Sequence, residues 1–353
     1  MTIDEHISQE QINERIVAAK KTLGKDLVIL AHYYQNIHIV RAAHFVGDSL
    51  QLSQSASRQV DAKYIVFCAV SFMAEMARIL CQPHQKVFHP ELAAKCPLAE
   101  MAVINDVEKA WEFLKGTGRR FIPVVYVNSR ADLKAFCGKN DGFVCTSANA
   151  GKAMNFVLSQ GAVPLFFPDE NLGRNTAHTM GITDDEMFLW EPYTDMSEKD
   201  VSVIANKKVI LWRGFCYVHV AFKPSDIDDV RNTYGSDINI IVHPECISEV
   251  VKRSDYVGST SFIKNTVEAA AAGSKWAIGT EINFVNRLKT DHPDKLIVPL
   301  KEWGCREMAK VTSLKFLGVL ENLVQGKPQA EVIVHPDDAK YAKIALERML
   351  NII

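Results

Sequence analysis

The chain has 353 residues, 48% of them hydrophobic, and a formal net charge of −2. That length exceeds a single small core and predicts two or three units, while a near-neutral charge favours neither nucleic acid nor an acidic membrane surface. The apolar runs fall short of the roughly 20 residues that span a bilayer, and the polar, acidic opening MTIDEHISQEQINERIV is unlike a secretory signal, so no membrane and a cytoplasmic location are expected.

Taken in chain order, short apolar runs alternate with helical stretches. DLVILAHYY predicts the first strand and Ser49–Arg58 the first helix. KYIVFCAV follows as a strand, then helices over Ala74–Leu80 and Val107–Lys115. FIPVVYVN, GFVCTS and AVPLFFPD predict three strands, with a helix at Asn149–Leu158. KKVILWRGFC, INIIVHPE, DYVGSTS, KWAIGTE and DKLIVPL continue the strands, separated by helices at Ile227–Asn232, Ile247–Arg253 and Ile263–Ala272. Two last helices are predicted at Ser313–Leu323 and Asp337–Leu350. Continuous apolar centres rich in Val, Ile and Phe indicate strands buried on both faces, as in parallel sheets. Alternation with helices gives an α/β class. Strong strands open near Asp26, Phe121 and Lys208 at near-equal spacing, which predicts three similar αβα units: residues 1–98, 99–206 and 207–306. Residues 307–353 are expected to return over them as C-terminal helices.

Polar residues follow the strands directly: His32 and Tyr34, Tyr126 and Asn128, Thr146 and Ser147, then His219, His243 and Glu245, Ser259 and Thr260, Thr280 and Glu281. Open α/β sheets bind ligands outside the carboxyl ends of their strands, so these groups predict a shared functional centre. Gly47-Asp48-Ser49, Thr146-Ser147-Ala148-Asn149 and Gly258-Ser259-Thr260-Ser261 stand where helices begin. They suit phosphate or carboxylate, and equally suit plain N-capping. His32 and His243 could hold an anionic substrate or move protons, or serve as satisfied structural histidines. Eight cysteines occur, with no Cys-x-x-Cys pair; most buried cysteines are simply small apolar residues. Walker A and G-x-G-x-x-G motifs are absent from the sequence, so a nucleotide cofactor has no support.

Together these segments resemble the quinolinate synthase family. AHYYQ (Ala31–Gln35), GDSLQLSQ (Gly47–Gln54), FCAVSFMAEMARIL (Phe67–Leu80) and KCPLAEM (Lys95–Met101) come first. YVNS, CTSANA, FPDENLG, WRGFCYVH, VHPEC, GSTSFI, GTE and GCREM (Gly304–Met308) follow in order. The likeness runs over about residues 27 to 323. Ala69, Ser71, Arg130 and the CREM sequence depart from the family pattern without removing a proposed ligand.

The resemblance implies three αβα units around a pseudo-threefold axis. It further implies a 4Fe–4S cluster on Cys96, Cys216 and Cys305, with one iron coordination site open for substrate. It assigns substrate binding to His32, Ser49, Tyr126, Asn128, Ser147, His243, Ser259 and Thr260, and catalysis to Tyr34, Glu245 and His219. The implied reaction condenses iminoaspartate with dihydroxyacetone phosphate to quinolinate, releasing phosphate and water, in NAD biosynthesis. A functional link to an L-aspartate-oxidising enzyme follows, since iminoaspartate must be supplied. Burial is expected to raise the Glu245 pKa toward the working range of an acid or base. One competing reading is a metal- or imine-dependent aldolase without a cluster, using His32, His219 and His243. Another is a cluster-bearing regulator, for which no basic helix is visible.

Overall fold

Every apolar run named above forms a strand in the computed structural model, which describes residues 7–194 and 198–351. The strands make three sheets, and every recorded strand pair is parallel. The first holds β1 (Leu27–His32), β2 (Phe45–Gly47), β3 (Tyr64–Cys68) and β4 (Lys86–Phe88) in the order β2-β1-β3-β4. The second holds β5 (Phe121–Tyr126), β6 (Phe143–Cys145), β7 (Val163–Phe167), β8 (Met187–Trp190) and β9 (Val209–Trp212), ordered β6-β5-β7-β9-β8. The third holds β10 (Asn239–Val242), β11 (Tyr256–Val257), β12 (Lys275–Gly279) and β13 (Leu296–Pro299), ordered β11-β10-β12-β13. Helices interleave throughout, as the alternation predicted.

One expectation is corrected. The strand predicted to open the third repeat near Lys208 is β9, and it pairs with β7 and β8 inside the second sheet. All four residues of β9 are buried, so it completes that sheet's core. The third sheet opens at Asn239.

The described chain divides into two compact units. The first comprises the chain up to Cys96 with Ile282–Arg287 and Gly304–His335, and carries the first sheet. Ile29, Ala31, Val66 and Cys68 on one face meet Ile12 and Ile16 of helix Gln9–Leu23 and Phe316, Leu317 and Leu320 of helix Ser313–Val324. Helices Ser49–Arg58 and Ser71–Leu80 pack on the same sheet and on each other. The sheet therefore needs apolar residues on both faces, which is why β1 reads as an unbroken run.

The second unit comprises Pro97–Glu281, Leu288–Trp303 and the chain from Pro336, and carries the other two sheets. The C-terminal helix Pro336–Asn351 lies against helix Ala131–Lys139. Gly138 makes that approach possible, because a Cβ there would sit 1.9 Å from the Tyr341 carbonyl oxygen. Around β10 and β12, Phe222, Ile227, Ile240, Val242, Cys246 and Ala277 form one buried cluster. Burying an Ile or Phe of this kind contributes about 1.5–3 kcal/mol. An exposed pair such as Lys264–Glu268, at 2.6 Å, adds about 0.5 kcal/mol, so the apolar cores decide the fold. No described helix is long and apolar enough to cross a membrane.

Candidate active site

The three sheets share a strand order in which the second strand lies to one side of the first and the third to the other. The chain thus reverses direction beside each first strand, leaving a crevice outside the carboxyl ends of the first and third strands. His32 and Tyr34 follow β1. Tyr126 ends β5, Asn128 follows it, and Asp169 comes soon after β7. His243 and Glu245 follow β10, and Thr280 follows β12. The second strands lead to the three candidate anion seats, and each seat does stand at a helix start. Asp48 caps helix Ser49–Arg58 by accepting the Gln51 N–H at 3.0 Å. The Ser259 hydroxyl accepts the Phe262 N–H at 3.3 Å and so caps helix Thr260–Ala269. In the remaining seat, Asn149 Oδ1 accepts the Thr146 N–H at 2.7 Å.

In the first unit, the His32 and Tyr34 rings meet edge to face at 4.5 Å, and His32 Nδ1 accepts the Tyr34 N–H at 3.1 Å. Gln35 Nε2 donates to the Met308 carbonyl at 3.2 Å, tying this turn to the short helix Arg306–Ala309 that follows Cys305. Lys310 Nζ donates to the Ala93 carbonyl at 3.4 Å, so the segments carrying Cys96 and Cys305 adjoin. Ser49 is half-buried at its helix start.

In the second unit, six of the predicted residues gather around one carboxylate. Glu245 is 2% exposed. Its Oε2 lies 2.6 Å from His219 Nδ1 and 3.5 Å from His243 Nδ1. The two imidazoles stack at 4.4 Å between centroids. The Tyr126 hydroxyl also donates to this carboxylate. His219 Nε2 lies 3.1 Å from Thr280 Oγ1, and His243 Nε2 3.2 Å from Ser147 Oγ. A turn from Cys216 closes on the N–H groups of His219 and Val220. Ligand atoms of Cys216, His219 and Glu245 therefore fall within 4.8 Å of one another. Gly214 lets the turn sit against Pro168, since a Cβ would approach that carbonyl oxygen to 2.3 Å. Asn128 is half-buried, and Ser259 spends its hydroxyl on its own helix.

The electrostatics correct one expectation. Burial pushes the Glu245 pKa up, but the His219 imidazole beside it, then His243 and the Tyr126 hydroxyl, outweigh that and hold it below the ordinary carboxylate range. The charge interaction with His219, ahead of the hydrogen bonds, wins over desolvation. Oε1 of the same carboxylate is buried without a partner. Asp169, which sequence reasoning passed over, moves the other way. Burial and then the Glu245 charge raise its pKa well above normal, against N–H donors from Leu172, Cys216 and Asn171. Asp169 follows β7 closely, so the post-strand rule covers it. The acidic Asp169-Glu170 pair reads equally as a helix start, and Oδ1 does cap helix Glu170–Thr179 at 2.7 Å from the Leu172 nitrogen.

The cysteines divide cleanly. Cys68, Cys81, Cys137, Cys145 and Cys246 are buried, while Cys96, Cys216 and Cys305 are part-exposed. Burial pushes the thiols of Cys68, Cys137, Cys145 and Cys246 up, which keeps them protonated. Cys81 is engaged by Arg78 at 3.1 Å. Iron–sulfur clusters are held by thiolates, and the three part-exposed residues are the donor set that suits this.

A family model described as Quinolinate synthetase A protein matches residues 14–351. The chain belongs to the quinolinate synthetase A family. A protein named quinolinate synthase from Geobacillus sp. (strain WCH70) is 46% identical over 347 residues, covering 98% of this chain and 94% of that protein. Quinolinate synthases from Bacillus cereus and Bacillus anthracis are 45% and 44% identical over 348 residues, with the same coverage. For this quinolinate synthetase A member, the carboxylate–imidazole centre lies wholly within the second unit.

Proposed function

We propose that the protein is a quinolinate synthase that condenses iminoaspartate with dihydroxyacetone phosphate, releasing phosphate and water. The family match over nearly the whole chain carries this reading, and the Glu245 centre gives it chemistry. The aldolase reading is not favoured by that match. Cys96, Cys216 and Cys305 would hold a 4Fe–4S cluster, a donor set supported by their exposure among eight cysteines. With three thiolates and one open iron site, the cluster would supply a Lewis acid for a carboxylate or hydroxyl of the substrate. Two carboxylates and a phosphate come with the substrates. Ser147, Ser259 and Thr260 in the second unit and Ser49 in the first would bind such anions at helix starts, aided by His32, His243, Tyr126 and Asn128.

Glu245 would serve as the proton acceptor through Oε1, while His219 holds Oε2 at 2.6 Å. His219, with Thr280 on its far nitrogen, orients that carboxylate. The Tyr34 phenol would donate a proton to a leaving hydroxyl. Iminoaspartate is unstable in water, so an L-aspartate-oxidising enzyme must supply it, and a reducing cytoplasm suits the cluster. The test is quinolinate formation by anaerobically purified protein given dihydroxyacetone phosphate and freshly generated iminoaspartate. Product without added nicotinamide or flavin is expected; dependence on either would overturn the reading.

A further inference from the structure

We propose that Asn175 is a positioning residue of the proton-transfer centre, acting through Glu245. It rests on the reading that Glu245 takes part in catalysis. Asn175 lies in helix Glu170–Thr179 and is 4% exposed. Its amide Nδ2 donates to the carbonyl of Pro244 at 2.9 Å and to that of Cys246 at 2.8 Å. Those carbonyls flank Glu245, so one side chain holds the backbone on both sides of the buried carboxylate. The turn itself is closed by the Cys246 N–H on the His243 carbonyl at 3.0 Å. Pro244 has no N–H to offer, so its carbonyl is its sole backbone polar group.

The same helix grips the partner of Glu245. At its start, the Glu170 N–H donates to the Gly214 carbonyl at 2.8 Å, and Asp169 accepts the Cys216 N–H. Cys216 opens the turn that carries His219. Farther along, His178 Nδ1 lies 3.3 Å from Ser248 Oγ, just beyond the Glu245 turn. One rigid helix therefore fixes both backbone segments whose side chains meet at 2.6 Å. A loss of these two bonds lets the carboxylate drift, and a displacement of about 1 Å costs on the order of 100-fold in rate.

A merely structural role for Asn175, satisfying two buried carbonyls, predicts lower stability without any special tie to Glu245. The double-mutant cycle separates the two. Asn175→Leu keeps the volume and removes the donors; Asn175→Ser keeps one donor and serves if the leucine variant does not fold. Each is made alone and with Glu245→Gln in cluster-loaded protein, and kcat, KM for dihydroxyacetone phosphate and Tm are measured. In the wild-type background kcat is expected to fall about 10- to 100-fold with KM little changed. In the Glu245→Gln background the same substitution is expected to cost nothing further in kcat. Unchanged kcat, or losses that multiply across the two sites, would overturn the inference. A fully active Glu245→Gln protein would instead remove the reading it rests on, whatever the Asn175 variants do.

Discussion

Glu245 and His89 are both buried, yet burial moves their charges to opposite outcomes. At Glu245 the desolvation of the carboxylate is overcome by the His219 imidazole 2.6 Å away, with His243 and Tyr126 behind it. His89 finds no such compensation. Desolvation lowers its pKa to about 4, against weaker help from the Ala69 carbonyl and from Glu91. Its Nε2–H donates to Ala69 at 2.8 Å while Nδ1 accepts the Glu91 N–H at 3.0 Å, which fixes the neutral ring. Between pH 6.5 and about 4 the unfolded chain therefore binds a proton that the folded chain refuses. Stability is expected to fall as pH drops through that window and to level off below it, by on the order of 3 kcal/mol. Tm measured at pH 7 and pH 4.5 on the wild type and His89→Gln checks this. The variant should start lower and lose less on acidification; equal losses would remove His89 as the cause.

Among the elements, helix Pro336–Asn351 packs closely on helix Ala131–Lys139 at Gly138. Gly138→Ala would force a methyl group onto the Tyr341 carbonyl, and neither backbone can yield without shifting a whole helix. The expected loss is about 3 kcal/mol, the upper part of the usual overpacking range, read from denaturant unfolding; a loss under about 0.5 kcal/mol would contradict that packing. The ten apolar runs were legible as strands because both faces of each sheet are covered. β2, β4 and β8, three or four residues long at sheet edges, were not read as strands, although the edge strands β6 and β11, no longer than these, were. Helix Glu170–Thr179 also escaped. Its sequence ENLGRNTAHT contains Gly, Asn and Thr, poor helix formers, and it is held by its Asp169 cap and its buried contacts. That helix carries Asn175, so a weak local signal hid a residue of the site.

Over the whole molecule, three parallel sheets with a shared strand order were foreshadowed by the spacing of strong strands, though β9 belongs to the second sheet. The residues gathered at Glu245 were visible as polar groups after apolar runs, because sheet topology, rather than sequence proximity, brings strand ends together. Asp169 stood in the same post-strand position and was passed over because it also reads as a helix start, whereas Asn175 was not visible, since its role depends on backbone carbonyls that no side-chain pattern reveals. The cysteines join these scales. Five are buried within the fold and three are part-exposed, and a cluster on those three is the centre of the proposed chemistry. The most direct measurement is iron and acid-labile sulfide per chain in anaerobically purified single Cys→Ala proteins. Cys96→Ala, Cys216→Ala and Cys305→Ala are expected to lose most of both, while Cys68→Ala, Cys81→Ala, Cys137→Ala, Cys145→Ala and Cys246→Ala retain wild-type content. Full iron and sulfide in any of the first three, or a wild-type protein that binds neither, would contradict the assignment.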